Sequence, residues 1–122
     1  MTAPSNIRVR RAYEEPAASD GPRVLVDRLW PRGLSKDRVA IDAWCKQVAP
    51  STELRRWYGH DPSRFEEFRR RYRAELASGE PAAALRDLSA LASRGRLTLV
   101  TATKAVELSA AQVLAEVLQE LP

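Results

Sequence analysis

Three stretches of this 122-residue chain bring together side chains able to hold or move charge. The first is Asp27-Arg28-Leu29-Trp30-Pro31-Arg32-Gly33, where a carboxylate and two guanidinium groups flank a tryptophan. The second, Arg55-Arg56-Trp57-Tyr58-Gly59-His60-Asp61, holds the only histidine. His60 ordinarily titrates near neutrality, so it is the one candidate general acid or base. The third is Thr101, Thr103 and Lys104, just ahead of the last helical pattern. Arginines, a lysine and the free N–H groups of a helix start together favour an anion, most simply a phosphate or carboxylate. The candidate ligand-binding set is therefore Asp27, Arg28, Trp30, Arg32, Arg55, His60 and Lys104, with His60 the weak catalytic candidate. Each has a plainer role open to it. Arg28 could pair with Asp27 or another acid and only hold a loop. His60 sits one residue before a helix cap, where imidazoles often bond backbone.

Other chemistries lack their residues. There is no glycine-rich phosphate loop, no G-x-S-x-G elbow and no H-E-x-x-H pair. One cysteine, Cys45, cannot form an internal disulfide, and one cysteine with one histidine cannot build a Cys/His zinc centre. No metal and no cofactor are assigned. The first seven residues have no apolar core of signal-peptide length, and no apolar run approaches the ~20 residues of a membrane helix. A reducing cytoplasm is the expected location, with no membrane partner. The net charge of +4 is unevenly spread: residues 51–73 carry seven arginines against four acids, whereas from 74 onward six acids outnumber four bases. Such asymmetry can attract phosphate-bearing partners.

The elements that must position these residues follow from the apolar pattern. At 44% hydrophobic and 30% charged, the chain reads as a single α/β domain over 1–122 with a loose start at 1–6. Ile7 to Tyr13 alternates apolar and polar as a half-exposed edge strand, its arginines a solvated face. Residues 23–29 read as a buried central strand, an apolar run rich in β-branched residues that leads into the first charged cluster. Ser35 can cap a short helix or turn through Asp37 and Arg38. Ile41, Trp44, Cys45 and Val48 fall at 3–4 spacing, which predicts one apolar helical face with Cys45 in the core.

Ser51 caps a helix through Tyr58 that Gly59 ends. Asp61 and Pro62 start another, with Phe65, Phe68, Tyr72 and Leu76 on its buried stripe. Glu66–Arg70 and Glu67–Arg71 pair at i, i+4 on its solvated face. Gly79 closes that helix, and Pro81 opens the next, which stops near Gly95. Residues 97–102 form a second buried strand. Ser109 and Gln112 fit a capping box for a last helix packed through Val113, Leu114, Val117 and Leu118. Buried strands joined through helices predict a small, mainly parallel sheet flanked by helices. In such a sheet ligands bind beyond the carboxyl ends of the strands, which is where the first and third clusters fall.

The run VDRLWPRGLSK, followed by DAWCKQVAPSTELRRWYGHDPSRFEEFRRRYRAEL, resembles the domain-of-unknown-function 488 family in its short YeaO-like branch, over about residues 7–121. The resemblance implies a Rossmann-like α/β domain and assigns no activity. Asp27, Arg28, Trp30, Pro31, Arg32 and Gly33 match the family's first motif. Pro50, Ser51, Leu54, Arg55, Trp57, Gly59, His60 and Asp61 match its second. After the last strand, similar proteins carry Asp-Glu-Glu-His-Asn-His-Ala. Here that register reads Ala105-Val106-Glu107-Leu108-Ser109-Ala110-Ala111. The family's aspartate, one glutamate and both histidines are replaced by Ala105, Val106, Leu108 and Ala110. Alanine and leucine offer neither a transferable proton nor a ligand atom.

Three expectations for function follow. The first is a domain that binds an anionic small molecule at the strand ends, with catalysis weakened or lost. The second is a nucleic-acid-associated protein using the arginines of 55–73, against which the neighbouring glutamates count. The third is a non-catalytic interaction domain, for instance within a homodimer. No oligomeric state can be read from the pattern.

Overall fold

Four short strands, all parallel, form one sheet in the order β1-β4-β2-β3. The computed structural model describes residues 6–35, 38 and 40–121. Strand β1 is Ile7–Arg11, β2 Arg23–Leu25, β3 Ala43–Trp44 and β4 Leu97–Thr101. Helices α1 (Thr52–Tyr58), α2 (Phe65–Glu75) and α3 (Gly79–Ala92) make the crossover from β3 to β4, and α4 (Ala110–Glu120) follows β4. The α/β fold read from the sequence is the one observed, with β1 on a sheet edge and β2 and β4 adjacent at its centre.

The two sheet faces are covered differently. Val24, Leu97 and Leu99 face the helices and join the core built from Leu54, Phe68, Tyr72, Leu88 and Leu114. On the opposite face Leu25, Val100 and Ala12 pack under Trp30, Leu34 and Ile41 of the β2–β3 connection and under Trp44 of β3. Leu25, Leu97, Leu99 and Val100 are fully buried, as expected of strands with both faces covered.

That arrangement explains the largest departure from the sequence reading. Residues 41–48 are not a helix: they form β3 and a 3-10 turn, Lys46–Val48. Asp42 N–H and Cys45 N–H donate to Arg23 and Leu25 carbonyls at 2.7 and 2.8 Å, so this segment extends the sheet. Its apolar residues divide between the two faces. Ile41 and Trp44 go to one cluster, Cys45 and Val48 to the other. A 3–4 spacing that resembles a helical stripe is here a short strand followed by a turn. Cys45 still packs against the core, and burial pushes its thiol pKa up, which disfavours a thiolate.

Smaller differences have local causes. The central strand ends at Leu25 because the chain bends at Asp27, Arg28 and Leu29. Helix α3 starts at Gly79, with Pro81 inside its first turn where no N–H is needed. Glu66 pairs with Arg69 rather than Arg70, whereas Glu67 takes both Arg70 and Arg71. Ser109 caps α4 through Gln112 N–H at 3.2 Å, but the Gln112 side chain turns to Glu116, so the box is half made. Arg38 N–H lies 3.3 Å from Ser35 Oγ as a cap would require, while Asp37 lies outside the described residues.

Arg8 and Arg10 are not simply a solvated face. Together with Arg23 they surround Asp20, whose carboxylate is 1% exposed: Arg23 lies 2.6 Å away, Arg8 3.2 Å and Arg10 4.0 Å. Thr98 Oγ1 donates to the Asp20 carbonyl at 2.7 Å, which ties this loop to β4. The next residue must be glycine, since a Cβ on Gly21 would stand 2.3 Å from the Arg96 carbonyl oxygen.

Burial alone would raise the Asp20 pKa, but the Ala17 N–H and the guanidinium groups outweigh it, and the net shift is downward. An acid lowered on folding contributes stability above its unfolded value and loses it as pH falls through the folded value. Asp20→Asn should therefore cost on the order of 3 kcal/mol at pH 7. In urea unfolding, the gap between wild type and variant should narrow steadily below the ordinary carboxylate range. A gap independent of pH would show that the ion cluster is not what stabilises this end of the sheet.

Candidate functional site

All four strands point the same way, so their carboxyl ends meet at one edge. A cleft of about 480 Å³ opens there. Its wall takes Tyr13 from the loop after β1, Val26 to Arg32 from the loop after β2, and Ala49 and Pro50 from the turn after β3. Ala102, Thr103 and Leu108 to Ala110 follow β4, while Arg55, Arg56, Tyr58 and His60 come from α1 and its end. Six of the seven candidate ligand-binding residues line this one space: Asp27, Arg28, Trp30, Arg32, Arg55 and His60. Lys104 is exposed and is not among the lining residues.

Asp27 has the most tightly specified place. Its Oδ1 accepts Thr101 Oγ1–H and its Oδ2 accepts the Ala102 N–H, both at 2.8 Å, so the carboxylate clasps the end of β2 to the end of β4. Its carbonyl accepts Trp44 Nε1–H at 2.7 Å. Burial raises the Asp27 pKa; the two hydrogen bonds and the nearby Arg55 charge offset only part of that. The residue whose type suggested ligand contact is thus first a fastening between strands. Trp30 has a comparable part: its Nε1–H donates to the Leu34 carbonyl at 2.7 Å, and its ring stands edge-on to Trp44 at 5.4 Å.

The arginines differ. Arg28 donates through one terminal nitrogen to the Pro50 carbonyl at 3.3 Å and makes no ion pair with Asp27. Four guanidinium Nε atoms are buried without a hydrogen-bond partner among the described residues, those of Arg10, Arg11, Arg28 and Arg55. The last two line the cleft. Buried donors are normally satisfied, so these two guanidinium groups carry hydrogen-bonding capacity that the described residues do not use. Arg32 is exposed at the rim, and its carbonyl accepts Tyr13 O–H at 3.2 Å.

His60 is exposed and has a positive φ of 57°, directly after Gly59 at 52°. Glycine takes this left-handed backbone freely, but a histidine pays for it in steric energy. The turn sets His60 beside Tyr58, ring centroids 6.1 Å apart. Tyr58 itself is core: it stacks on Phe68 at 4.3 Å, and its O–H donates to the Leu108 carbonyl at 2.7 Å. Trp57 is only part-buried, with Arg71 and Arg64 over its ring at 4.3 and 5.4 Å.

The sequence reading missed Tyr13, Leu29, Tyr58, Leu108 and Ser109 as lining residues. Only Tyr13 and Leu29 carried a usable signal, as large apolar groups next to strand ends. Leu108 and Ala110 both line the cleft. Ser109 between them is spent on capping α4 and on the Val106 carbonyl. Among the described residues, no group of three or more His, Cys, Asp or Glu could hold a metal ion, and no helix is long and apolar enough to cross a membrane.

Because Asp27 is raised on folding, its native state binds more protons than its unfolded state, and its contribution weakens as pH rises through the folded value. An amide in its place can accept the Ala102 N–H and donate to Thr101. Asp27→Asn should therefore gain stability relative to wild type between pH 4 and pH 7. Asp27→Ala, which strands the Ala102 N–H, should lose about 2 kcal/mol. Chemical denaturation at the two pH values separates these outcomes; equal losses for both variants would show that the clasp is not hydrogen bonding.

Comparison with known proteins places this geometry in a family. Residues 6–121 match the family described as the inactive DUF488-N3 subclade. An uncharacterised protein of Mycobacterium tuberculosis and one of Mycobacterium bovis are each 50% identical over 118 residues, 97% of this chain and 98% of theirs. The uncharacterised protein YeaO of Escherichia coli is 41% identical over 116 residues, 95% of this chain and 99% of its own. No solved structure matches. With a match over nearly its whole length and relatives covered end to end, the chain belongs to the DUF488 family, within its N3 subclade.

Proposed function

We propose that the cleft at the carboxyl edge of the sheet binds a small anion, a phosphate or carboxylate, and does so without turnover. The observation that carries this reading is the pair Arg28 and Arg55. Both line the same space, and each has a buried Nε–H with no partner among the described residues. A planar guanidinium with an unpaired Nε–H and terminal N–H groups is suited to two-point recognition of an oxyanion. The first turn of α4 adds N–H groups and a partial positive charge from the β4 side, since Ser109 and Ala110 reach the cleft. Arg32 and His60 stand at the rim in this reading. Lys104, outside the lining, contributes only to the positive field that draws the anion in.

Binding without chemistry fits the cleft's other residues. His60 is the only imidazole, exposed at the rim, and Leu108 and Ala110 can neither donate nor accept a proton. The reading takes a reducing cytoplasm as its setting. The nucleic-acid alternative draws less support, because Arg64, Arg69, Arg70, Arg71 and Arg73 are each paired with a carboxylate.

Titrating inorganic phosphate into the isotopically labelled chain should shift backbone resonances of Arg28, Arg55 and Ala102 to Ala110. Arg28→Ala or Arg55→Ala should each weaken binding about ten-fold or more, since a charge-assisted hydrogen bond contributes roughly 1.5–3 kcal/mol. Thermal melting of both variants controls for folding. Shifts confined to α2, or unchanged affinity in the doubly substituted chain, would remove the proposal.

A further inference from the structure

The anion accounts for only part of the cleft. An oxyanion takes the place of a few waters at about 30 Å³ each, whereas this space is about 480 Å³, within the range of sites for whole small molecules. Much of what lines the remainder is apolar, and beside the exposed Arg32, Arg56 and His60 several of its polar groups have their hydrogen bonds already made. The Tyr13 and Tyr58 hydroxyls and the Trp30 N–H are committed to the carbonyls of Arg32, Leu108 and Leu34. Both carboxylate oxygens of Asp27 are occupied by protein donors.

The exposed surface points the same way. Three large hydrophobic side chains are exposed among the described residues: Tyr13 at 47%, Leu29 at 67% and Leu121 at 37%. The two most exposed both line this cleft. Leu29 projects from the bend that also carries Arg28, so an apolar surface and a guanidinium with spare donors sit on adjacent residues. Exposed apolar groups gathered at a concave site favour an apolar occupant over water.

We infer, resting on the anion-binding reading above, that the natural ligand is an amphipathic organic anion: a phosphate or carboxylate head held by Arg28 and Arg55, joined to a compact apolar body that covers Leu29 and Tyr13. A polyhydroxylated anion such as a sugar phosphate fits poorly. Its hydroxyls would lose water against Leu29 and against the already paired Tyr13, Tyr58 and Trp30, which offer no donor to replace those hydrogen bonds.

Calorimetric titration of the full chain with inorganic phosphate, glucose 6-phosphate and phenyl phosphate tests this directly. Phenyl phosphate should bind at least about ten-fold tighter than the other two. Leu29→Ser, a change at an exposed position that melts like wild type, should reduce that preference several-fold. Equal affinity for the three, a preference for the sugar phosphate, or a preference that Leu29→Ser leaves intact would overturn the inference while phosphate binding still stood. Failure of all three to bind would overturn both the inference and the anion-binding reading beneath it.

Discussion

The parallel pairing of β2 with β4 is the constraint on which the rest of the structure depends. Only three residue pairs carry it, Arg23 with Thr98, Val24 with Leu99 and Leu25 with Val100. Because side chains alternate along a strand, a slip of one residue would exchange every group between the two faces. Val24 would leave the helical core, Leu25 would leave the tryptophan side, and Arg23 would lose Asp20. At the far end of the pair the Asp27 carboxylate closes on Thr101 and Ala102, so register and cleft floor are fixed by one set of bonds. A short pairing is enough because both faces are sealed: Val24, Leu25, Leu99 and Val100 are each no more than 1% exposed.

Charge is distributed so that two groups of arginines are neutralised where they stand. The Asp20 cluster holds Arg8, Arg10 and Arg23 at the amino end of the sheet. Glu116 and Glu120 of α4 hold Arg69 and Arg73 of α2, which joins two helices that pack on the same face. Arg70 and Arg71 turn back on Glu67 within α2. Set against this, Arg28, Arg32, Arg55 and Arg56 reach the carboxyl edge without an ion pair among the described residues, and the Asp27 oxygens there are taken by Thr101 and Ala102. The cleft's positive character arises from that local imbalance rather than from the chain's overall charge.

The wall after β4 gives the cleft its other character. The fold turns Leu108 and Ala110 of that segment into the cleft, so apolar side chains form that part of the lining. Arginines on one side and apolar side chains on the other make a site suited to holding a molecule.

The amino-acid sequence by itself determined the parts governed by local chemistry. Ser51, Gly59 and Asp61 fix helix boundaries through bonds within a few residues, and each cap lies where its side chain or backbone freedom requires. The β-branched apolar runs of 24–26 and 97–101 favour buried strands, and the charged residues following them fall at the sheet's carboxyl edge. The tertiary structure alone decided what depends on partners distant in the chain. Residues 41–48 carry a spacing compatible with either a helix or a strand and turn, and only the free edge of β2 selects the latter. Asp27 could have faced a ligand or a strand end, and Thr101, 74 residues away, decides that. Asp20 has Arg23 three residues on, but shows no local sign of Arg8 and Arg10, which β1 brings to the same carboxylate. Lys104, next to the same strand end, is left outside the cleft because the chain turns away before the Val106–Leu108 turn. Short-range hydrogen bonding is written in neighbouring residue types, whereas the pairing of a buried charge depends on which distant group the fold brings to it.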